Sequence, residues 1–211
     1  MRGPIEAQQV TGVILAGGRG RRIGGRDKGL FPYRGRPLVE WLMAALAGQV
    51  GGLIISANRN LPRYRAYGHP VTADRRTDFS GPLAGIAGAM DAAPTPWILV
   101  TPCDTPLLPP DLVRRLAATL AAERSSDLAI AFDGARAQRL HALVPVSLHA
   151  SLEDFLARGG RKVADWHAEH RCALADLSDC AQAFANINTE EDAARLLSAS
   201  DDPATLSHAP P

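Results

Sequence analysis

The chain has 211 residues, 46% of them hydrophobic, and 23 basic against 22 acidic side chains. That suffices to bury one medium-sized core, and a net charge of +1 excludes a globally basic nucleic-acid or membrane-surface binder. Three cysteines, Cys103, Cys172 and Cys180, form no Cys-x-x-Cys pair, so neither a disulfide framework nor a zinc site is expected.

The first eleven residues are polar and lack the apolar core of a signal peptide, and no apolar run reaches the roughly 20 residues of a membrane helix. A cytoplasmic protein is expected. Residues 10–16 read as a first strand, followed by a glycine-rich stretch to about residue 29. Residues 37–46 have helical periodicity with Pro37 at the first turn and Gly48 near the stop. Short buried strands are expected over 53–56 and 69–72. Residues 81–90 open a helix rich in small residues, able to approach a sheet closely. Residues 97–100 make the best central strand, followed by a helix over 110–123. Further strands are expected over 128–132 and 143–146, the second extended and antiparallel. Short helices follow over 151–158 and 162–170, then an edge strand over 171–174. A last helix over 189–198 has Thr189 as its cap and an acidic first turn, as the helix dipole prefers. Residues 200–211 are polar and proline-rich and are expected to be a disordered tail behind a single domain over residues 1–199.

Strand–helix alternation over the first 125 residues predicts an α/β fold: a three-layer, mostly parallel sheet with helices on both faces. Ligands of such sheets sit outside the carboxyl ends of the strands, where strand order reverses. The segments that follow the strands are the glycine-rich stretch, 56–59, 73–76 and 102–106.

Between Leu15 and Lys28 lie five glycines and five cationic side chains, and seven basic residues fall between Arg19 and Arg36 with only Asp27 opposing them. Glycines let backbone N–H groups converge, and arginine or lysine adds charge at the same point, which suits a polyphosphate. The stretch lacks the Gly-Lys-Ser/Thr ending of a P-loop and fits the dinucleotide fingerprint poorly. A solvated surface loop is the alternative. Asp104, just past the strongest strand, could hold Mg²⁺ on phosphates or simply cap an Asp-Thr-Pro turn. Asp74 follows another strand end, where an ion pair with Arg75 or Arg76 is the rival reading. Asn186 and Asn188 would point the same way from an extended segment and offer paired amides, or serve as N-cap chemistry. Gly159-Gly160-Arg161-Lys162 is a second glycine–cation turn, with an exposed loop as its alternative. His141 falls at a strand edge, whereas His167 and His170 are expected on an exposed helix. Cys103 has no histidine partner in reach and is expected to be buried as a small apolar side chain.

These motifs together resemble the signature of the MobA family of molybdenum cofactor guanylyltransferases. Leu15-Ala16-Gly17-Gly18 with residues 21–28, Gly81-Pro82-Leu83-Ala84-Gly85, Pro102-Cys103-Asp104-Thr105-Pro106 and Asn186-Ile187-Asn188-Thr189 occur in the family's order, over residues 11–197. The resemblance implies a Rossmann-like nucleotidyltransferase fold and transfer of GMP from GTP to molybdopterin, with pyrophosphate released. By that similarity Leu15, Ala16, Gly17 and Gly18 hold the nucleotide, and Arg22 and Lys28 its phosphates. Asp74 joins the nucleotide site and Asp104 carries Mg²⁺, so Lys28, Arg22 and Asp104 form the catalytic set. Gly81, Arg161, Lys162, Asn186 and Asn188 fall on the molybdopterin side. GTP and molybdopterin are the implied substrates and other molybdenum cofactor assembly proteins the candidate partners, with neither nucleic acid nor membrane among them. Two departures stand out: Ser56 replaces a frequent Asn near the base, and Ala142 replaces a usual proline in what is expected to be a loop. Cytidylyl transfer, transfer onto a sugar phosphate, and a non-catalytic nucleotide-binding adaptor remain alternatives. A terminal phosphate is already ionised at neutral pH, so a site rich in cations and poor in histidine suits such chemistry.

Overall fold

The computed structural model describes residues 3–16, 27–74, 81–189 and 191–195. The apolar runs form central strands, as fully buried runs in parallel sheets do. Strand β1 (Val10–Leu15) lies between β4 (Gly52–Ser56) and β6 (Trp97–Pro102), parallel to both. Strand β5 (Val71–Thr72) continues the parallel half beyond β4. Beyond β6 the sheet holds β8 (Ala137–Pro145), β7 (Leu128–Phe132) and β9 (Cys172–Asp176), giving the order β5-β4-β1-β6-β8-β7-β9. β8 runs antiparallel to both neighbours, as expected, and β9 is the edge strand. Leu15 pairs with both Ser56 and Pro102, and Ser56 with Thr72, so the parallel strands end in one row. Their order reverses at β1–β6, which puts a crevice between the segments after Leu15 and Pro102.

Alternation along the strands feeds two cores. Val10 and Ile14 of β1 face helices α1 (Leu38–Leu46) and α4 (Leu112–Ala122), meeting Leu42, Leu46, Leu116 and Leu120. Val13 faces the other way, with Ile98 and Val100, toward Leu83, Ile86 and Met90 of α3 (Pro82–Ala92) and Leu152 and Leu156 of α5 (His149–Ala157). Each such side chain contributes roughly 1.5–3 kcal/mol on burial. Close approach of α3 depends on Gly85, where a Cβ would stand 2.5 Å from Ser56 Oγ.

A third, small cluster joins distant parts of the chain. Strands β2 (Pro32–Tyr33) and β3 (Arg36–Pro37) form a hairpin whose turn residues Arg34 and Gly35 both have positive φ, 49° and 75°. Phe31, Tyr33 and Leu38 of this region pack against Ile187 and Ala193. The late segment is thereby fastened beside the residues that follow Lys28.

The hairpin and the short helix α2 (Leu61–Arg65) were not expected from sequence, because strands of two residues and a helix of five have no periodicity to read. Ala142 is not in a loop: it pairs with Val100 and Ile130 inside β8. His167 lies on α6 (Val163–Ala168) but is buried, not exposed, and His170 is half-buried with its Nε2 3.0 Å from Ser151 Oγ. Residues 191–195 are helical; the rest of the expected last helix and the tail over 200–211 lie outside the described residues. No described helix is long and apolar enough to cross a membrane.

Candidate active site

The site is built outward from a buried carboxylate. Asp27 Oδ1 accepts hydrogen bonds from the Tyr64 hydroxyl at 2.6 Å and the Gly29 N–H at 3.2 Å, and Oδ2 accepts from Asn60 Nδ2 at 2.8 Å. Burial, with Asp27 beside it, drives the Tyr64 phenol far above its ordinary pKa, so it remains a donor. A Cβ on Gly29 would stand 2.5 Å from the Tyr64 hydroxyl, so glycine here lets the backbone pass close to the phenol. Sequence reasoning missed Asn60 and Tyr64; their nearest signal was the left-handed-tolerant Asn at the start of a short helix.

This anchor aims the next residue. Lys28 Nζ lies 2.5 Å from Asp104 Oδ2 and 2.5 Å from Asn188 Oδ1. Three segments far apart in sequence thus meet at the crevice between β1 and β6. Asp104 is held on both sides: the Cys103 N–H donates to the Leu15 carbonyl at 3.1 Å, and the Ile187 N–H donates to the Asp104 carbonyl at 2.8 Å. Asp104 Oδ1 is buried and has no hydrogen-bond partner among the described residues. Such an anionic oxygen is costly to leave bare. Among the described residues no three metal-ligating side chains come together, and Asp104 is the carboxylate at this crevice that could hold a divalent cation. The other ligands would be phosphates and water, a donor set that suits Mg²⁺ or a similar hard cation.

The remaining candidates divide. Leu15 and Ala16 border the crevice, and the Ala16 N–H donates to the Ser56 carbonyl at 2.7 Å. Gly17, Gly18 and Arg22 lie outside the described residues, as do Arg75 and Arg76. Asp74 sits past β5, where Asn58 Nδ2 donates to its Oδ2 at 2.7 Å and its own N–H donates to Asn58 Oδ1 at 2.8 Å. Burial raises the Asp74 carboxyl above its ordinary pKa, and the Asn58 bond opposes that. Gly81 (φ 66°) caps α3, and a Cβ on it would lie 3.8 Å from the Arg161 carbonyl oxygen, so these two expected partners do meet. The Arg161 guanidinium donates to the carbonyls of Leu156 at 3.0 Å and Gly160 at 2.6 Å. Lys162 is exposed at the start of α6, and Asn186 is exposed beside buried Ile187.

Asn188, expected on the molybdopterin side, accepts a hydrogen bond from Lys28. The capping chemistry next to it belongs to Thr189, whose hydroxyl accepts from the Asp192 N–H at 3.0 Å while Asp192 Oδ2 accepts from the N–H groups of Asn188 and Thr189. Cys103 is buried, and burial beside Asp104 pushes its thiol up to about 12, so it is no nucleophile.

Known proteins resemble this chain in sequence and in fold. Residues 12–172 match the model of the MobA-like NTP transferase domain. A molybdenum cofactor guanylyltransferase of Cupriavidus necator is 50% identical over 190 residues, covering 88% of this chain and 94% of that protein. One from Methylibium petroleiphilum is 46% identical over 199 residues, covering 91% and 97%. Among solved structures, molybdopterin-guanine dinucleotide biosynthesis protein A from Archaeoglobus fulgidus matches with a TM-score of 0.71 at 21% identity, over 88% of this chain and 95% of that one. A Mycobacterium tuberculosis protein solved as a complex with manganese shares the fold with a TM-score of 0.63 at 18% identity, over 90% and 99%. The seven-stranded, mostly parallel sheet is the Rossmann-like sheet expected of nucleotidyltransferases, and by the match of its sequence the chain belongs to the MobA-like NTP transferase family.

Proposed function

We propose that this chain transfers GMP from GTP to molybdopterin with Mg²⁺, in the cytoplasm, through one domain spanning residues 1–199. The observation that carries the reading is the meeting of Lys28, Asp104 and Asn188 at the crevice, with Asp104 Oδ1 buried and unpartnered. The names of the relatives supply the substrates. In the reaction an oxygen of molybdopterin's terminal phosphate bonds to the α-phosphorus of GTP. The bond from that phosphorus to the oxygen bridging to the β-phosphate breaks, and pyrophosphate departs with the bond's electron pair. The nucleophile is already ionised, so no general base is required, and neither Cys103 nor a histidine is needed for one.

Mg²⁺, when bound, neutralises charge on the phosphates. Asp104 would hold it through the open oxygen. Lys28 presents an ammonium to the same phosphates, and Asn188 gives that ammonium a neutral acceptor when Asp104 is engaged by the cation. Gly81 and the turn at Arg161 and Lys162 form the second wall, where the molybdopterin phosphate would lie. By the family's motif Gly17, Gly18 and Arg22, which lie outside the described residues, would serve the nucleotide, and other cofactor-assembly proteins are candidate partners. Pyrophosphate release with Mg²⁺, GTP and molybdopterin tests the proposal. Release with GTP, and thermal stabilisation by GTP over CTP, are expected; stabilisation by CTP alone would overturn the guanylyl assignment.

A further inference from the structure

β8 departs from regular pairing where it nears the site. Ile130 of β7 pairs with Ala142, but the next residue, Ala131, pairs with Gln138. One step along β7 therefore spans four along β8, and Arg139, Leu140 and His141 fall outside that ladder. Pairing with β6 also stops at Val100 opposite Ala142, one residue short of His141. Irregularities of this kind re-aim a side chain beside an active site. Here the re-aimed group is an imidazole that is 2% exposed, stacked edge-on against Phe184 with ring centres 4.9 Å apart. Its Nε2 lies 2.8 Å from Oγ1 of Thr105, the fully buried residue next to Asp104.

Thr105 Oγ1 also donates to the Pro102 carbonyl at 3.3 Å, closing the turn that contains Asp104. A hydroxyl has one proton. With that proton on Pro102, His141 must donate from Nε2–H, and the atom left unpartnered is the Nδ1 lone pair. A buried bare acceptor is more readily tolerated than a buried bare N–H, which supports this tautomer. Burial without a nearby acid keeps the ring neutral.

We propose that His141 is a positioning residue: through Thr105 it fixes the turn that aims Asp104 at its cation. The proposal rests on the assignment of Asp104 as metal-holding residue. Neither the His141 nor the Thr105 side chain hydrogen-bonds Gly81, Arg161 or Lys162, so effects should separate by substrate. His141→Phe keeps the ring against Phe184 and removes the bond; Thr105→Val removes the hydroxyl with little change of shape. His141→Gln carries an amide that can restore the donor.

The test is a titration of Mn²⁺ into the full chain with GTP, followed by water-proton relaxation, beside steady-state kinetics. Groups that hold a metal-binding residue in place are typically worth 10–100-fold in metal affinity or activity. His141→Phe and Thr105→Val are each expected to weaken Mn²⁺ binding and lower kcat by about 10-fold or more, with KM for molybdopterin unchanged. The double variant should be no worse than either single one, and His141→Gln should recover most of the loss. Wild-type Mn²⁺ affinity and kcat in Thr105→Val, or losses that multiply in the double variant, would overturn the proposal. Because Thr105→Val alters so little of the core, it keeps the test decisive if His141→Phe does not fold. A wild-type chain that binds Mn²⁺ with GTP but transfers no GMP would overturn the proposed function and leave His141's role standing.

Discussion

Two carboxylates flank Lys28, one adjacent in sequence and one brought to it by the fold, and they are treated in opposite ways. Asp27 is saturated: a phenol, an amide and a backbone N–H take up its oxygens in a buried pocket. Asp104 is half-satisfied, with one oxygen on Lys28 and the other buried and bare. A buried acid with both oxygens hydrogen-bonded serves the fold, because neither oxygen is left bare. A bare one is a cost that a ligand can remove. The difference supports the proposed role of Asp104 and a structural one for Asp27, and it can be broken by substitution.

The largest expected effect is on turnover. Asp104→Ala should lower pyrophosphate release on the order of 10³-fold, as loss of an electrostatic element at the reacting phosphate does. Its stability should stay within about 1 kcal/mol of wild type in denaturant titration, because Lys28 keeps Asn188 and the bare buried oxygen is removed together with the ion pair. Asp27→Ala inverts the pattern. It strands the buried Tyr64 hydroxyl and the Gly29 N–H, and should cost about 2–3 kcal/mol of stability.

A smaller effect comes from the buried histidines. Burial holds His141 down to about 3 and His167 down to about 4, against 6.5 in an unfolded chain. The unfolded state therefore binds protons that the folded state refuses, so their contribution is whole above pH 6.5 and fades as pH falls toward those values. Each would subtract about 2 kcal/mol between neutral pH and pH 5. His167→Gln should remove about half of that acid loss, read as Tm against pH.

Much of the parallel half was legible in the sequence. Its strands are short apolar runs separated by periodic helices, and Asp104 stands just beyond the most apolar of them. Alternation predicts the parallel strands but not their order; Asp104 meets Lys28 because β6 lies directly beside β1. What was not legible has a common cause in tertiary packing. His167 read as exposed because so short a helix shows no face; its burial comes with the packing of α6 against β8. His141 gave no hint of Thr105, since a break in strand register is invisible until both neighbours are placed. Asn188 could have been a cap or a ligand-facing amide. Only the docking of Ile187 against the hairpin shows that its side chain reaches Lys28 while Thr189 does the capping.

The most direct test sets Asp104→Ala beside Asp27→Ala and measures pyrophosphate release and unfolding free energy on both. A bare acid and a saturated one predict a crossing: the first variant folds with near wild-type stability and loses turnover, and the second loses stability. Equal destabilisation of the two, or near wild-type turnover in Asp104→Ala, would contradict the account.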